Sequence, residues 1–506
     1  MNGYCCKIPT LALLLILLFP NLGNCQEVIK SPINNYQPTE DSADNFKTLL
    51  SNSSEELRLN LADAVYLALQ NNRDLKVSYL QRILDKKQLA ETESQFNPTF
   101  TPQIALNFTN NQNGYNQSNN TTASLNANLN WKIPTGGNIT LTWQGQNQLL
   151  QNNSLNIYSD TNTLSQSINL NLSQPLLRGS GTGYNSINIQ KARLTEKANL
   201  LNFTNTISQT ITNTILTYRS LLLAQERLKI EEFSVENAKK DLERLQALFD
   251  FGRIPRNNLV ERQADIAQQE VNLVNTRGEL EQAITNLLKI LDLPVRKKLV
   301  AIETPIPPAS LNLPGFEEML ELALTNNSGY LNALNAVENA KFNITEAENQ
   351  QQFDLRLNLG YSFNSAGNTS DTSNLTSSLT LSREFGNYSQ DNAVARSKIN
   401  LQTANIALDK SRENLKEELK TKVRNAENTF QQIKLAQQAR KLAETKLVNA
   451  RERMRLGSNI SMTDIIAFEK SVVDAKNQEL NAIINHLNSI TELEQFLGIT
   501  LNKWVK

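Results

Sequence analysis

Cysteine is almost missing from this sequence: three occur in 506 residues, at Cys5, Cys6 and Cys25, and none follows. The rest of the chain therefore has no disulfide, no thiolate nucleophile and no cysteine metal site. A single histidine, His486, leaves zinc chemistry without a ligand set. Aromatics make up 6% of the residues, with 18 glycines and 14 prolines, a composition that suits long polar helices better than a large globular core. Neither sign of charge prevails. Lysine plus arginine numbers 50 against 50 for aspartate plus glutamate, so nothing favours nucleic acid or an anionic surface as a partner. No Ser/His/Asp, Cys/His, metal or phosphate-loop constellation is present. Glu346 with Glu348, and Asp241 with Glu243, stand two apart and face different sides of a helix, so neither is an acid/base couple. An enzyme is not expected, and no cofactor is implied.

The first 25 residues stand apart. Lys7 supplies a positive start, Leu11 to Phe19 is an unbroken apolar run too short to span a bilayer as a helix, and Asn21-Leu22-Gly23-Asn24-Cys25 follows. This reads as a secretory signal peptide. Two processing routes are open. One is ordinary cleavage before Gln26. In the other, Leu22-Gly23-Asn24-Cys25 resembles a lipobox, departing from it at Asn24, and Cys25 becomes a lipidated N-terminus. Residues 26–54 carry Pro32, Pro38 and no apolar periodicity, and read as a linker or strap.

From Glu55 the pattern is helical, with Leu59, Ala62, Val65 and Leu69, then Leu80, Ile83 and Leu84. Between Glu93 and Arg178 only Lys132 and Asp160 are charged, and the residues alternate. Ile104, Leu106 and Phe108 form one run, Ala123 to Trp131 a second, Ile139 to Trp143 a third and Ile168 to Leu172 a fourth, with Asn, Ser and Thr between them. A period of two makes one face apolar and the other polar. A soluble sandwich would show the same alternation. The scarcity of charge and the run length, about 9 to 11 residues, favour a membrane β-barrel.

A helical pattern then runs from about Tyr184 to Phe249 and reaches a tip at Phe251-Gly252-Arg253-Ile254-Pro255. It returns with Ile266, Leu273, Leu280 and Leu287 at sevens. A proline-rich connector, 294–314, follows. The scheme then recurs: Ala68-Leu69-Gln70-Asn71-Asn72 is echoed by Ala323-Leu324-Thr325-Asn326-Asn327, strands are expected at about 354–383, and a second long helix runs from about Tyr388 to Met454. A second tip carries Leu456-Gly457-Ser458-Asn459 and Asp464-Ile465, and another helix returns. The reading is an internal duplication: repeat 1 over 55–293, with strands at about 100–175, repeat 2 over 315–500, and a tail at 501–506. Each long helix of about 66 residues measures about 100 Å, and one shorter returning helix plus one strand-leading helix match that length end to end.

At these features the chain resembles the TolC-type outer-membrane efflux proteins over nearly all of residues 55–500. The resemblance rests on the duplicated element order, on Leu-Ser-Gln-Pro-Leu-Leu-Arg-Gly at 172–179 and on both tips. It implies an α+β membrane protein, a homotrimeric transmembrane β-barrel continued by a periplasmic α-helical coiled-coil barrel. It further implies a passive exit duct of a tripartite efflux pump or type I secretion system. Its partners would be outer-membrane lipid, a periplasmic adaptor and an inner-membrane pump of RND, ABC or MFS type, with no nucleic acid. The tips, Gly252, Arg253, Pro255, Gly457, Ser458 and Asn459, are the adaptor-docking candidates. Asp464 matches a position that narrows the periplasmic end, while Ala467 stands where a second aspartate can occur. The alternative for Asp464 is a simple helix cap. The family contributes two strands per repeat, so the extra pair turning at Ile133-Pro134-Thr135-Gly136-Gly137-Asn138 either enlarges the barrel or stands outside the membrane as an extended hairpin; the hairpin is expected, because a trimer of four-strand protomers already closes. The competing class is a pore-less periplasmic coiled coil or surface adhesin, which the nearly charge-free strands argue against.

Overall fold

The computed structural model describes residues 57–504 except 115, 155–156, 295–298, 368–369, 387 and 457–459. The leader with Cys25, the 26–54 strap, and Gly457, Ser458 and Asn459 of the second tip lie outside the described residues. In chain order, strand β1 (Leu57–Leu59) precedes helices α1 (Leu61–Asn71) and α2 (Arg73–Glu93), then strands β2 (Thr99–Asn113), β3 (Asn116–Lys132), β4 (Asn138–Ser154) and β5 (Ile157–Pro175). Helices α3 (Ile187–Asp250) and α4 (Arg256–Ile290) follow, then β6 (Leu299–Ala301), α5 (Phe316–Asn326), α6 (Ser328–Gln350), β7 (Asp354–Ala366) and β8 (Thr372–Ser382). Helices α7 (Tyr388–Arg455), α8 (Met462–Phe496) and α9 (Thr500–Trp504) complete the chain.

The helix starts follow local capping chemistry. Asn60 and Asp63 form a capping box at α1. Asn72 and Asn327, the ends of the two Asn-Asn echoes, accept from the amides of Leu75 and Tyr330 and so begin α2 and α6. The sequence reading continued one helix from Glu55. Instead β1 comes first, pairing in parallel with β6 inside the proline-rich connector, and Asn72 breaks the helix. The long helices α3 and α7 hold 64 and 68 residues, about 96 and 102 Å. Beside α3, α2 and α4 meet end to end. The Asn72 amide donates to the Ile290 carbonyl at 3.1 Å, and Arg73 pairs with Asp292 at 2.8 Å. Beside α7, the Asn326 side chain donates to the Leu497 carbonyl at 3.4 Å, joining the α5–α6 corner to the end of α8. Buried Leu57, Leu59, Leu299 and Tyr218 form the packing at mid-length, where the Tyr218 hydroxyl donates to the Leu59 carbonyl. Among the described residues no helix is long and apolar enough to cross a bilayer.

All six long strands form one antiparallel sheet in the order β2-β3-β4-β5-β7-β8. The pair turning at Ile133 to Asn138 is therefore not the expected hairpin standing apart from the sheet but part of it. β3 and β4 lie inside the sheet, with β4 bonded to β5 along its length. Their turn sits at the helix end of the sheet, where the Gly181 amide donates to the Thr135 carbonyl. Gly136 (φ 96°) lies against the 175–185 segment so closely that a Cβ there would collide with the Gly179 carbonyl oxygen.

Candidate functional site

Two regions carry the expected function, the sheet and the helical tips. Directly paired residues share a face of a sheet, so register reveals its chemistry. One row runs Phe100, Leu129, Leu141, Leu170, Tyr361, Leu375, apolar on every strand. The next, on the opposite face, runs Thr101, Asn128, Thr142, Asn169, Ser362, Asn374, polar and uncharged on every strand. The segment at 172–179 fastens this sheet to the helices. Its Leu176 and Arg178 amides donate to the carbonyls of Leu355 and Phe353, and Arg178 pairs with Asp354 at 2.7 Å. Above the apolar rows, away from the helices, β2–β5 run on past β7. The last β5–β7 pair is Ser165 with Ala366, whereas β5 begins at Ile157. Residues there are polar on both faces at Thr109 to Gln112, Gln117 to Thr122 and Gln151 with Asn152, with Leu149, Leu150 and Leu164 as apolar exceptions.

At the first tip α3 ends in a Schellman motif. The Gly252 amide donates to the Phe249 carbonyl at 2.7 Å and the Arg253 amide to the Leu248 carbonyl at 2.9 Å. This needs the left-handed backbone of Gly252 (φ 67°), which has open space around it. Pro255, extended at φ −77°, opens α4. Gly252, Arg253 and Pro255 are all exposed, and Phe251 beside them is 79% exposed. At the second tip Leu456 is 69% exposed. Below it Ser461 and Asp464 form a capping box: the Asp464 amide donates to the Ser461 hydroxyl at 3.1 Å, and the Ser461 amide to the Asp464 carboxylate at 3.0 Å. Hydrogen bonds from Ser461 hold the Asp464 carboxyl below the usual aspartate range, so this exposed group stays ionised. The cap reading of Asp464 is thus present in the fold.

One apolar core joins the two tips, with Leu245, Leu259, Leu447, Met462 and Ile465 buried together and Ile254 and Ile460 packed against them. Thr463 donates to Glu261 at 3.1 Å across the hairpins. Behind this core lies Arg262, 1% exposed. Its guanidinium meets Asp241 of α3 at 3.2 Å, Asp265 of α4 at 3.0 Å and Glu469 of α8 at 2.6 Å, and Glu469 also takes Arg451 of α7 at 2.7 Å. Although charged, Arg262 is an interior ion centre tying four helices. Its signal was its place in the apolar stripe between Leu259 and Ile266, at steps of three and four. His486 is buried among Thr429, Ser489 and Phe430, and desolvation lowers its pKa below that of a free imidazole.

No protein-family model matches the sequence, and no curated protein matches it. Solved structures do match in fold. CusC, studied for transmembrane channel formation, superposes with a TM-score of 0.65 at 16% identity, over 95% of this chain and 99% of its own. The outer membrane channel CmeC of Campylobacter jejuni gives a TM-score of 0.62 at 18% identity, over 87% and 85%. The outer membrane protein VceC of Vibrio cholerae gives 0.63 at 14% identity, over 87% and 96%. The resemblance read from the sequence thus holds at the level of fold across nearly the whole chain.

Proposed function

We propose that this protein is the outer-membrane exit duct of a tripartite efflux pump or a type I secretion system. Three copies, each built on an internal duplication, form a passive channel with the sheet in the outer membrane and the helices in the periplasm. The tips dock on a periplasmic adaptor that links the duct to an inner-membrane pump of RND, ABC or MFS type.

The observation that carries this reading is the two-faced sheet, apolar on one side and uncharged-polar on the other, continuing into helices about 100 Å long. The lone chain supports the trimer. Ile399 and Ile406, and Leu435 and Leu442, stand seven apart on α7 and are each more than 60% exposed, as a seam awaiting another helix would be. Phe251 and Leu456 are the apolar anchors offered at the tips, with Arg253 and Pro255 beside the first and Gly457, Ser458 and Asn459 following the second in sequence. Asp464, from three copies, would add one acidic ring at the periplasmic end while still capping α8.

The test pairs fractionation with function. The protein should appear in the outer membrane as a trimer that heat dissociates on gels. Bulky charged residues at both Gly252 and Gly457 should abolish efflux and leave trimers intact. Efflux surviving those substitutions would remove the docking role, and a monomer in the soluble fraction would remove the duct.

A further inference from the structure

We infer that three copies close a single wall of eighteen strands, with β2 of each copy pairing with β8 of the next, so that all six strands of each chain cross the lipid. This rests on the trimeric-duct reading above and goes beyond the two strands per repeat, or twelve per trimer, that the resemblance implies.

Four features of the sheet carry it. The apolar positions do not stop at four strands; the row through Phe100 runs from β2 to Leu375 of β8 without a break. An extra pair standing in water would have no reason to continue them. The edges also fit each other in direction, because an even number of alternating strands leaves β2 and β8 antiparallel when copies meet in a ring.

The stagger fits as well. A row starting at Thr99, the helix end of β2, passes Asn130, Thr140, Asn171 and Gly360 and reaches β8 at Thr376, six residues short of its helix end at Ser382. Six residues per chain in three chains is a shear of about eighteen for eighteen strands, a tilt of about 35°, within the range of closed barrels. Setting the helix ends level places Ser382 opposite Thr99 of the next copy. All 11 residues of β8 then find partners within the 15 of β2. Leu381 meets Phe100, Leu379 meets Pro102 and Leu375 meets Leu106.

The apolar surface left open is the last feature. Ile104 is 82% exposed, Leu106 74% and Leu375 80%, more than their counterparts on the inner strands, and closure covers them. The apolar zone, about nine residues of each strand, measures roughly 25 Å at that tilt, the height of a membrane band. The polar upper parts of β2–β5 then project outside it. At a strand spacing of about 4.8 Å the wall is roughly 33 Å across, against roughly 22 Å for twelve strands. The mouth is correspondingly wider.

Paired cysteines test the seam. Leu106→Cys with Leu375→Cys, oxidised in outer-membrane preparations beside single-cysteine controls, should yield covalent dimers and trimers on non-reducing gels. Phe108→Cys with Leu375→Cys would report the same seam at a stagger two residues larger, and also supports it. Cross-linking of Gly145→Cys with Leu375→Cys instead would place β4 at the seam and overturn the proposal. So would no cross-link from any pair in variants that still migrate as heat-sensitive trimers. Electron microscopy of the unmodified trimer down its axis supplies a reading free of substitutions. A wall of roughly 33 Å supports the eighteen-strand closure and one of roughly 22 Å refutes it, whereas a chain that forms no trimer refutes the duct reading itself.

Discussion

Replacing Arg262 should loosen the tip end of the helical hairpins far more than its distance from the exposed tip residues suggests. The guanidinium is 1% exposed, and its three carboxylate partners are each less than a fifth exposed. In Arg262→Met those carboxylates would face one another without the cation between them. Breaking a buried ion cluster from one side costs about 3–5 kcal/mol. At about 1.4 kcal/mol per tenfold, local opening of α3, α4 and α8 near the tips becomes roughly 100- to 5,000-fold more frequent. Hydrogen exchange on the purified protein reads this directly, because amides around Leu245, Leu259 and Ile465 should lose protection while those of the sheet keep it. Arg262→Lys should fall between, since an ammonium cannot bridge carboxylates on three helices as a planar fork does. Removing Asp241, Asp265 and Glu469 together with Arg262, in favour of Leu and Met, should restore most of the protection, because an uncharged cluster leaves little buried charge unpaired. Exchange within tenfold of the parent in Arg262→Met would refute the account of an interior ion centre.

Other substitutions probe other parts of the molecule. Asp464→Ala should change the resting conductance and cation preference of the proposed channel in planar bilayers if three carboxylates ring its lumen; unchanged values would leave only the helix cap. Ser461→Ala removes one half of that cap and should cost about 1 kcal/mol of α8 stability by exchange at its first turn. Gly136→Ala should weaken the junction between sheet and helices and lower trimer yield, because a Cβ there meets the Gly179 carbonyl and the backbone is left-handed. A trimer yield equal to that of the parent would contradict the packing. Burial lowers the folded-state pKa of His486, so the unfolded chain binds the proton more readily. Stability from this group is complete above its unfolded pKa of about 6.5 and is lost progressively as pH falls below it. Thermal midpoints at pH 7.5 and 5.5 should therefore diverge less in His486→Gln than in the parent.

Much of this architecture was legible because its signals are local and repeated. Heptad steps such as Val235, Ala238, Leu242 and Leu245 mark a long helix within a few turns, and four of those residues lie on its packed side. Period-two alternation marked every long strand, and the left-handed turn at Gly252 followed from a glycine between two helical patterns. What escaped notice depends on partners distant in sequence. The three-residue strands β1 and β6 hold too few residues to show a period, and their pairing joins segments far apart. The place of β3 and β4 in the sheet was misjudged because alternation tells which residues share a face but not which strand lies next door. Arg262 drew no notice in the sequence, although its position in an apolar stripe marked it as interior. The tip core is shared between hairpins about two hundred residues apart, so neither hairpin alone shows it.

The order of strands also bears on how the chain comes to be folded. β2 to β5 are consecutive hairpins, each closing over a short turn, so this four-strand meander can form from nearby contacts as soon as its residues emerge. It then ends on β5, whose free edge must wait for β7, with Ser173 and its partner Asn358 separated by 185 positions. The β1–β6 clasp waits even longer, since Leu61 and Glu303 beside it are 242 apart. Two thirds of the sheet is therefore assembled early and carries an unsatisfied, partly apolar edge until β7 and β8 are made. During that interval the nascent protein is most vulnerable to pairing with the wrong strand.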